Sequence, residues 1–390
     1  MSRSAPSRGA MLVLLHPAMA LTGVGCAITG PLLPALARSF HLSDDQSGLL
    51  VFCIYAGMTA GALLCRRRYA RLIAGGFVAF AAICLGLAFA PRSLLFPLAF
   101  FYGLTVGLPM TSVNVFVGHN YPTRRAATLT ALNFTWSLGA TLGPLAAARL
   151  LDLFSWRAVY QSVAAAALLA AVASALVLRD DKETIQPAPQ TEGLRNLRLI
   201  VLFALFFFLQ VGMECTAGAW ASTYVLRVTT TSVALAAAAS SIFWGGFLVS
   251  RALAPLVLLR VQPARLLLAC MLTAIAASAA MVAVRSAVPL LSAILLLGLA
   301  LAPVFPVALS GFFDRARRSS DSRFVMALSA FGGAVFPWLA GAISTHSGSL
   351  RIGLITLPAT LLLMTAMLPL LGVVGRAPAA AELREHEVTP

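Results

Sequence analysis

Leu199–Leu226, LIVLFALFFFLQVGMECTAGAWASTYVL, is an apolar run with a single acid, Glu214, near its middle. A run of this length and composition suits the ~20-residue helix that crosses a bilayer. In lipid the backbone must satisfy its own hydrogen bonds, which selects helix over strand. A charged side chain at that depth is costly, about 2.5–3.5 kcal/mol for Asp, Lys or Arg at a helix centre. Such residues face a bundle interior or a watery cavity and mark ion, proton or substrate paths. The other acidic residues of the 13 fall in loops, tails or helix ends. Glu214 is therefore the first candidate for an ion-coupling group.

Eleven further runs have the same character: 11–37, 46–64, 72–90, 94–117, 126–148, 158–178, 233–258, 266–284, 289–312, 324–345 and 352–374. The chain is 60% hydrophobic and only 11% charged, with a mean hydropathy of +0.90, which excludes a soluble domain. Arg3 and Arg8 precede Met11–Ala37, a stretch too long for a signal-peptide core, so it reads as a first permanent helix. One connection stands apart, Arg179–Arg198, RDDKETIQPAPQTEGLRNLR, charged and interrupted by Pro187 and Pro189. The expectation is an all-α membrane protein of twelve transmembrane helices in two pseudo-symmetric six-helix bundles. The first bundle spans 1–178, a linker 179–198, the second bundle 199–374 and a polar tail 375–390.

The net charge of +15 reflects topology rather than nucleic-acid binding. If the N-terminus is inside, twenty basic residues lie at inner ends, among them the Arg66–Arg68 cluster, Arg71, Arg124, Arg125, Arg260 and Arg265. Seven lie at outer ends: Arg38, Arg92, Arg149, Arg157, Arg227, Arg285 and Arg351. The positive-inside bias places both termini in the cytoplasm, in a multi-pass protein of the cell inner membrane. Six scattered cysteines (Cys26, Cys53, Cys65, Cys84, Cys215, Cys270) read as small apolar packers, and five dispersed histidines support no metal site. No nucleophile triad, phosphate loop, HExxH or cofactor fingerprint occurs, so neither an enzyme nor a cofactor is expected.

The two halves repeat. Val24-Gly25 with Thr29 matches Val211-Gly212 with Thr216, and Gly61 through Arg66 matches Gly246 through Arg251. Gly139-Ala140 leading to Pro144 matches Gly333-Ala334 leading to Pro337. Internal repeats with a substrate site at their interface are a transporter signature.

The chain resembles the major facilitator superfamily over its whole length. That family's marker, Gly-x-x-x-Asp-Arg-x-Gly-Arg-Arg between helices 2 and 3, survives here as Gly61, Arg66 and the basic run to Arg71. Cys65 stands at the Asp position and Arg68 at the Gly position. Arg124-Arg125 after Tyr121-Pro122, and Ser155-Trp156-Arg157, are similar to its loop 4 and loop 5 patterns. Val211-Gly212-Met213-Glu214 with Trp220, and Ala302-Pro303-Val304-Phe305-Pro306, resemble the fucose permease branch and its sodium-dependent glucose transporter relatives. The resemblance implies a major facilitator fold and secondary transport. Coupling carboxylates of helices 1 and 4 in that branch are absent, since Ala27 and Asn114 stand here. Gly139-x-x-x-Gly143-Pro144 is similar to an exporter motif, with Ala147-Ala148 replacing its closing glycines.

Gln210 and Gly218 share a helix face with Glu214 at i,i+4 spacing. Gln210 is a candidate partner and the glycine would leave room for solvent or substrate. The alternative for Glu214 is a hydrogen bond that only glues helices together. Asn114, with Gly107 and Thr111, offers an amide for sugar hydroxyls. Asn133, Trp136 and Ser137 share a second face, an indole plate beside an amide, although intramembrane amides also bridge helices. Trp220 and Trp244 complete the candidate substrate set, with interfacial anchoring as the competing role. Pro303, Pro306, Gly333 and Pro337 mark helices that could bend, and Arg66 and Arg251 are candidate gating residues. His16 and His119 lie too near helix ends to be coupling groups. The expected function is secondary uptake of a small polar solute, a sugar, coupled to H⁺ or Na⁺, by a monomer surrounded by membrane lipids. Antiport export of drugs or metabolites and a non-transporting receptor are the alternatives.

Overall fold

The computed structural model describes residues 8–65, 68–120, 125–178, 197–313 and 319–372. Arg66, Arg124, linker residues 179–196 and the tail beyond 372 lie outside that set, as does the side chain of His119. Among the described residues the regular structure is helical. The first half comprises α1 (Arg8–Ala27), α2 (Thr29–Phe40), α3 (Asp44–Leu64), α4 (Tyr69–Phe89), α5 (Leu95–Asn120), α6 (Arg125–Leu153) and α7 (Trp156–Val177). The second comprises α8 (Leu197–Val228), α9 (Val233–Leu258), α10 (Pro263–Ala283), α11 (Ala287–Leu301), α12 (Val304–Phe313), α13 (Ser319–Ser347), α14 (Leu350–Leu354) and α15 (Thr356–Met367).

Three crossings are broken helices. α1 and α2 form one span bent by 42°. α11 and α12 are separated where Pro303 withholds a backbone N–H. α14 and α15 part at Ile355. By length and apolarity ten described helices qualify as spans, or eleven with the bent pair. α6 supplies the remaining crossing. At 29 residues it is long enough, but Thr128, Thr130, Asn133, Thr135, Ser137 and Thr141 make it the polar one.

The packing order repeats between halves. α1 lies on α6 as α8 lies on α13, α3 on α5 as α9 on α11, and α4 on α7 as α10 on α15. The halves meet along α3–α13 and α6–α9, which exchange places when the halves are swapped. Glycines fix the register of the repeated contacts within each half. A Cβ on Gly107 would strike the Met58 carbonyl, and one on Gly298 the Phe243 carbonyl. Both members of the first pair are shifted to the second by the repeat, 191 residues for the glycine and 185 for its neighbour. In the contact of α1 with α6 Gly139 lies against the Ala20 carbonyl, and in that of α8 with α13 Gly332 lies against the Phe208 carbonyl. The repeat thus pairs Gly139 with Gly332 rather than with Gly333, because close backbone approach, not the Gly-Ala dipeptide, is what the two halves share.

Where the family's marker carries glycine, Arg68 has φ 71° and ψ 51°. That left-handed backbone suits glycine and strains a residue with a Cβ. Cys65, at the marker's Asp position, faces Ser112 on α5 at 3.4 Å (Sγ to Oγ).

Candidate functional site

α8 runs unbroken through Glu214, so Gln210 falls one turn below it on the same face. Gln210 is fully enclosed. Its Nε2 donates to Glu214 Oε1 at 2.8 Å and to the Leu301 carbonyl at 3.2 Å, at the broken end of α11. The Gln210 Oε1 remains buried without a partner. A buried acceptor is expensive to leave unpaired, so this oxygen is a place for a water, an ion or a ligand donor.

Arg251 on α9 is the second ionisable group of this region. Its Nη1 donates to Ser137 Oγ on α6 at 3.2 Å, so the side chain crosses from one half to the other. Its guanidinium lies 5.2 Å from the Phe247 ring and 6.0 Å from the Trp136 ring, within range for cation–π attraction. Glu214 and Arg251 act on each other's charge without forming a direct ion pair.

Trp136 and Trp244 meet edge-on across the α6–α9 seam, centroids 5.7 Å apart. Trp136 Nε1 is buried and faces the Cys26 thiol of α1. Trp244 occupies the space left by Gly218, where a Cβ would come within 3.1 Å of the indole. That glycine therefore makes room for an aromatic plate rather than for solvent. Gly333 abuts Cys215 and Tyr55 beside the same region, and the Tyr55 hydroxyl faces the Cys215 thiol.

The remaining candidates are dispersed. Asn114 donates to the Met110 carbonyl of its own helix at 2.9 Å and touches Met19. Asn133 is exposed and donates to Leu129 O at 2.9 Å. Trp220 is fully buried and donates to the Pro337 carbonyl at 2.9 Å, tying α8 to α13. Pro303 lies at the α11–α12 break, and Pro306 and Pro337 lie inside α12 and α13. His16 ties α1 to α6 through Thr135 at 2.7 Å. Tyr55 escaped the sequence-based list, and Arg251 stood on it as a gating candidate rather than as a neighbour of Glu214. The available signal was Arg251's position seven residues inside an apolar span, as isolated a cation as Glu214 is an anion.

Two repeated helical bundles enclosing a half-buried carboxyl group, an arginine and an aromatic pair define a multi-pass membrane transporter fold. The sequence profile of the Major Facilitator Superfamily matches residues 15–322, and the chain belongs to that family. It is 23% identical over 361 residues to the Glucose/mannose transporter GlcP of Bacillus subtilis (strain 168), covering 86% of this chain and 88% of that protein. It is 27% identical over 422 residues to Sodium-dependent glucose transporter 1 of Rattus norvegicus, covering 94% and 85%. Among solved structures, a bacterial homolog of the human lysosomal transporter Spinster, inward-facing and occupied, superposes with a TM-score of 0.74 at 16% identity, covering 97% of this chain and all of that one.

Proposed function

We propose that the protein is a secondary transporter that takes up a small polyhydroxylated solute, a sugar, by alternating access coupled to H⁺ or Na⁺. In this reading it sits in the cell inner membrane with both termini cytoplasmic, two six-helix units joined by the 179–198 linker. The observation that carries it is the Gln210–Glu214 pair, placed with Arg251 beside the Trp136–Trp244 plates where the two halves meet. An indole face suits the apolar side of a sugar ring, and the unpaired Gln210 Oε1 suits a hydroxyl. The names of the two glucose-transporting relatives support the same substrate class. Glu214 is the ion-linked group, and the breaks at Ile28 and Ala302–Pro303 are where spans bend as the halves rock.

Proteoliposome uptake across a panel of labelled sugars tests it, with and without Na⁺ and an imposed pH gradient. Saturable uptake of one sugar supports the proposal. Thermal stabilisation of the purified protein by lipophilic cations and by no sugar would overturn it.

A further inference from the structure

We infer that the cavity between α2, α6, α8 and α9 binds the phosphate headgroup of an anionic lipid, which stands in for a carboxylate that the repeat lacks at this position.

The repeat sets two arginines and two helix starts in register. Arg38 lies in the last turn of α2, and Arg227 lies in the last turn of α8, 189 residues later. Asp44 opens α3 behind the N-cap Ser43, and Val233 opens α9 behind the N-cap Ser232, again 189 residues later. Arg227 of the second half donates to Asp44 of the first, Nη2 to Oδ1 at 2.6 Å. Exchanging the halves carries that pair onto Arg38 and position 233. Valine stands there, and the first turn of α9 holds no acid. The arginine is present and its anion is not.

A cavity of about 650 Å³, counting its open mouth, lies at this place, and Arg38 and Val233 both line it. Its apolar wall comes from the two halves, Pro31, Pro34 and Leu151 from the first and Leu226 and Ala236 from the second. Arg38 is exposed and makes one long bond within its own helix, Nε to the Pro34 carbonyl at 3.4 Å. Ser39 Oγ accepts from Trp156 Nε1 at 3.0 Å and keeps its own O–H to donate. Arg157 lies 4.4 Å from the centre of the Trp156 ring, a second cation beside the cavity wall. Asp152 on α6 is engaged by Arg149 at 3.5 Å, and among the described residues neither Arg38 nor Arg157 has an acidic partner.

Two cations, a hydroxyl and the start of a long helix all favour an anion. The guanidinium fork matches phosphate geometry. The apolar wall selects a lipid over a free anion, because it can cover the first part of an acyl chain. Exposed Leu153, Phe154 and Leu235 flank the same helix ends and suit that interfacial level. On the alternating-access reading, a phosphate bridging α2 to α9 holds this end of the α6–α9 seam shut, as Arg227 and Asp44 do beside α13. Only that consequence rests on the transport reading.

Purified full-length protein, stripped of lipid in a neutral detergent, is titrated with phosphatidylglycerol and followed by native mass spectrometry and thermal unfolding. The parent should retain this lipid and melt higher with it, whereas diacylglycerol, which has the chains and no phosphate, should do neither. Arg38→Gln should weaken retention about fivefold, the upper range for an exposed charge pair, and Arg38→Lys should lose less. Val233→Asp supplies the missing acid at a helix start that favours it. It should melt at or above the parent without lipid and lose the response to phosphatidylglycerol. Equal retention by the parent and Arg38→Gln, an exposed substitution that leaves the fold intact, would overturn the site even if Val233→Asp failed to fold. Stabilisation of the parent by inorganic phosphate as strong as by phosphatidylglycerol would overturn the lipid assignment. None of these readouts needs a transported solute, so failure of sugar uptake and failure of this site are told apart.

Discussion

Arg227 grips Asp44 with both terminal nitrogens at 2.6 Å, although the two residues lie 183 positions apart and in opposite halves. Asp44 opens α3, where the helix dipole favours negative charge. It also accepts from the Ser344 hydroxyl of α13, while the backbone N–H of Asp45 donates to Thr345 Oγ1 at 2.9 Å. Gly341 lets α13 come close enough, since a Cβ there would strike the Asp44 carbonyl. One end of the α3–α13 seam is therefore latched by a planar guanidinium and two polar contacts, and the proposed alternating access would require this latch to open.

Removing the guanidinium should weaken the latch modestly. Arg227 is 43% exposed and Asp44 12%, so the pair is worth about 0.2–1 kcal/mol, as for partly exposed bridges. Arg227→Ala should enlarge the open population about 1.4- to fivefold, read as a longer distance between spin labels at exposed Phe154 and Val288. Arg227→Lys should fall between, having lost the planar fork. Unchanged distance distributions would mean that packing alone holds this end.

Glu214→Gln keeps the side chain's shape and its contact with Gln210 but cannot carry a titratable charge. Without ion coupling a carrier only equilibrates its substrate, so the accumulation ratio should fall to about one while exchange survives. Counterflow and net uptake measured on the same vesicles separate the two. Parent-like accumulation would reduce Glu214 to helix glue.

Hydropathy made the spans legible because bilayer crossing constrains length and polarity locally. Gln210 was legible as the partner of Glu214 because both lie one turn apart on a single helix. Missing N–H groups at Pro303 and Pro306 marked a broken tenth span for the same local reason. Arg251's partner was not legible, since Ser137 meets it only through the packing of α6 on α9. The filling of the Gly218 space by Trp244, and the meeting of Arg227 with Asp44, likewise depend on tertiary arrangement that no spacing along the chain encodes.

Asn114 and Asn133 test how far the substrate surface extends. Each spends a donor on a carbonyl of its own helix, so replacement by Ala should cost folding only about 1 kcal/mol. Each still has an amide oxygen for a sugar hydroxyl. Either variant should weaken sugar affinity, and a built site of this kind rejects deoxy analogues by up to about 10⁴-fold. Parent-like affinity in both, by equilibrium binding, would confine the site to Gln210, Glu214 and the tryptophans.

Two glycines on lipid-crossing helices should respond in opposite directions. Gly332 packs against the Phe208 carbonyl, which cannot yield as a flexible side chain would. Gly332→Ala should therefore cost about 1–3 kcal/mol by overpacking and lower the melting temperature. Gly75 has nothing within 4 Å of its would-be Cβ. There alanine should stabilise α4 by about 0.5–1 kcal/mol through reduced backbone entropy. Equal melting temperatures for the two variants would contradict the close α8–α13 approach.

Arg68→Gly offers a sharper backbone test. The left-handed conformation at φ 71° costs a residue with a Cβ about 1–2 kcal/mol. Glycine removes that strain but loses about 0.5–1 kcal/mol of chain entropy on folding. The two terms leave a net gain on the order of 0.5 kcal/mol, a small rise in melting temperature. Arg68→Ala should show no such rise, because alanine keeps the Cβ and the strain with it, and it also controls for loss of the arginine's charge. Thermal unfolding of the three proteins in one detergent decides the matter. Glycine and alanine variants that melt together would show that charge, not backbone conformation, dominates at this turn.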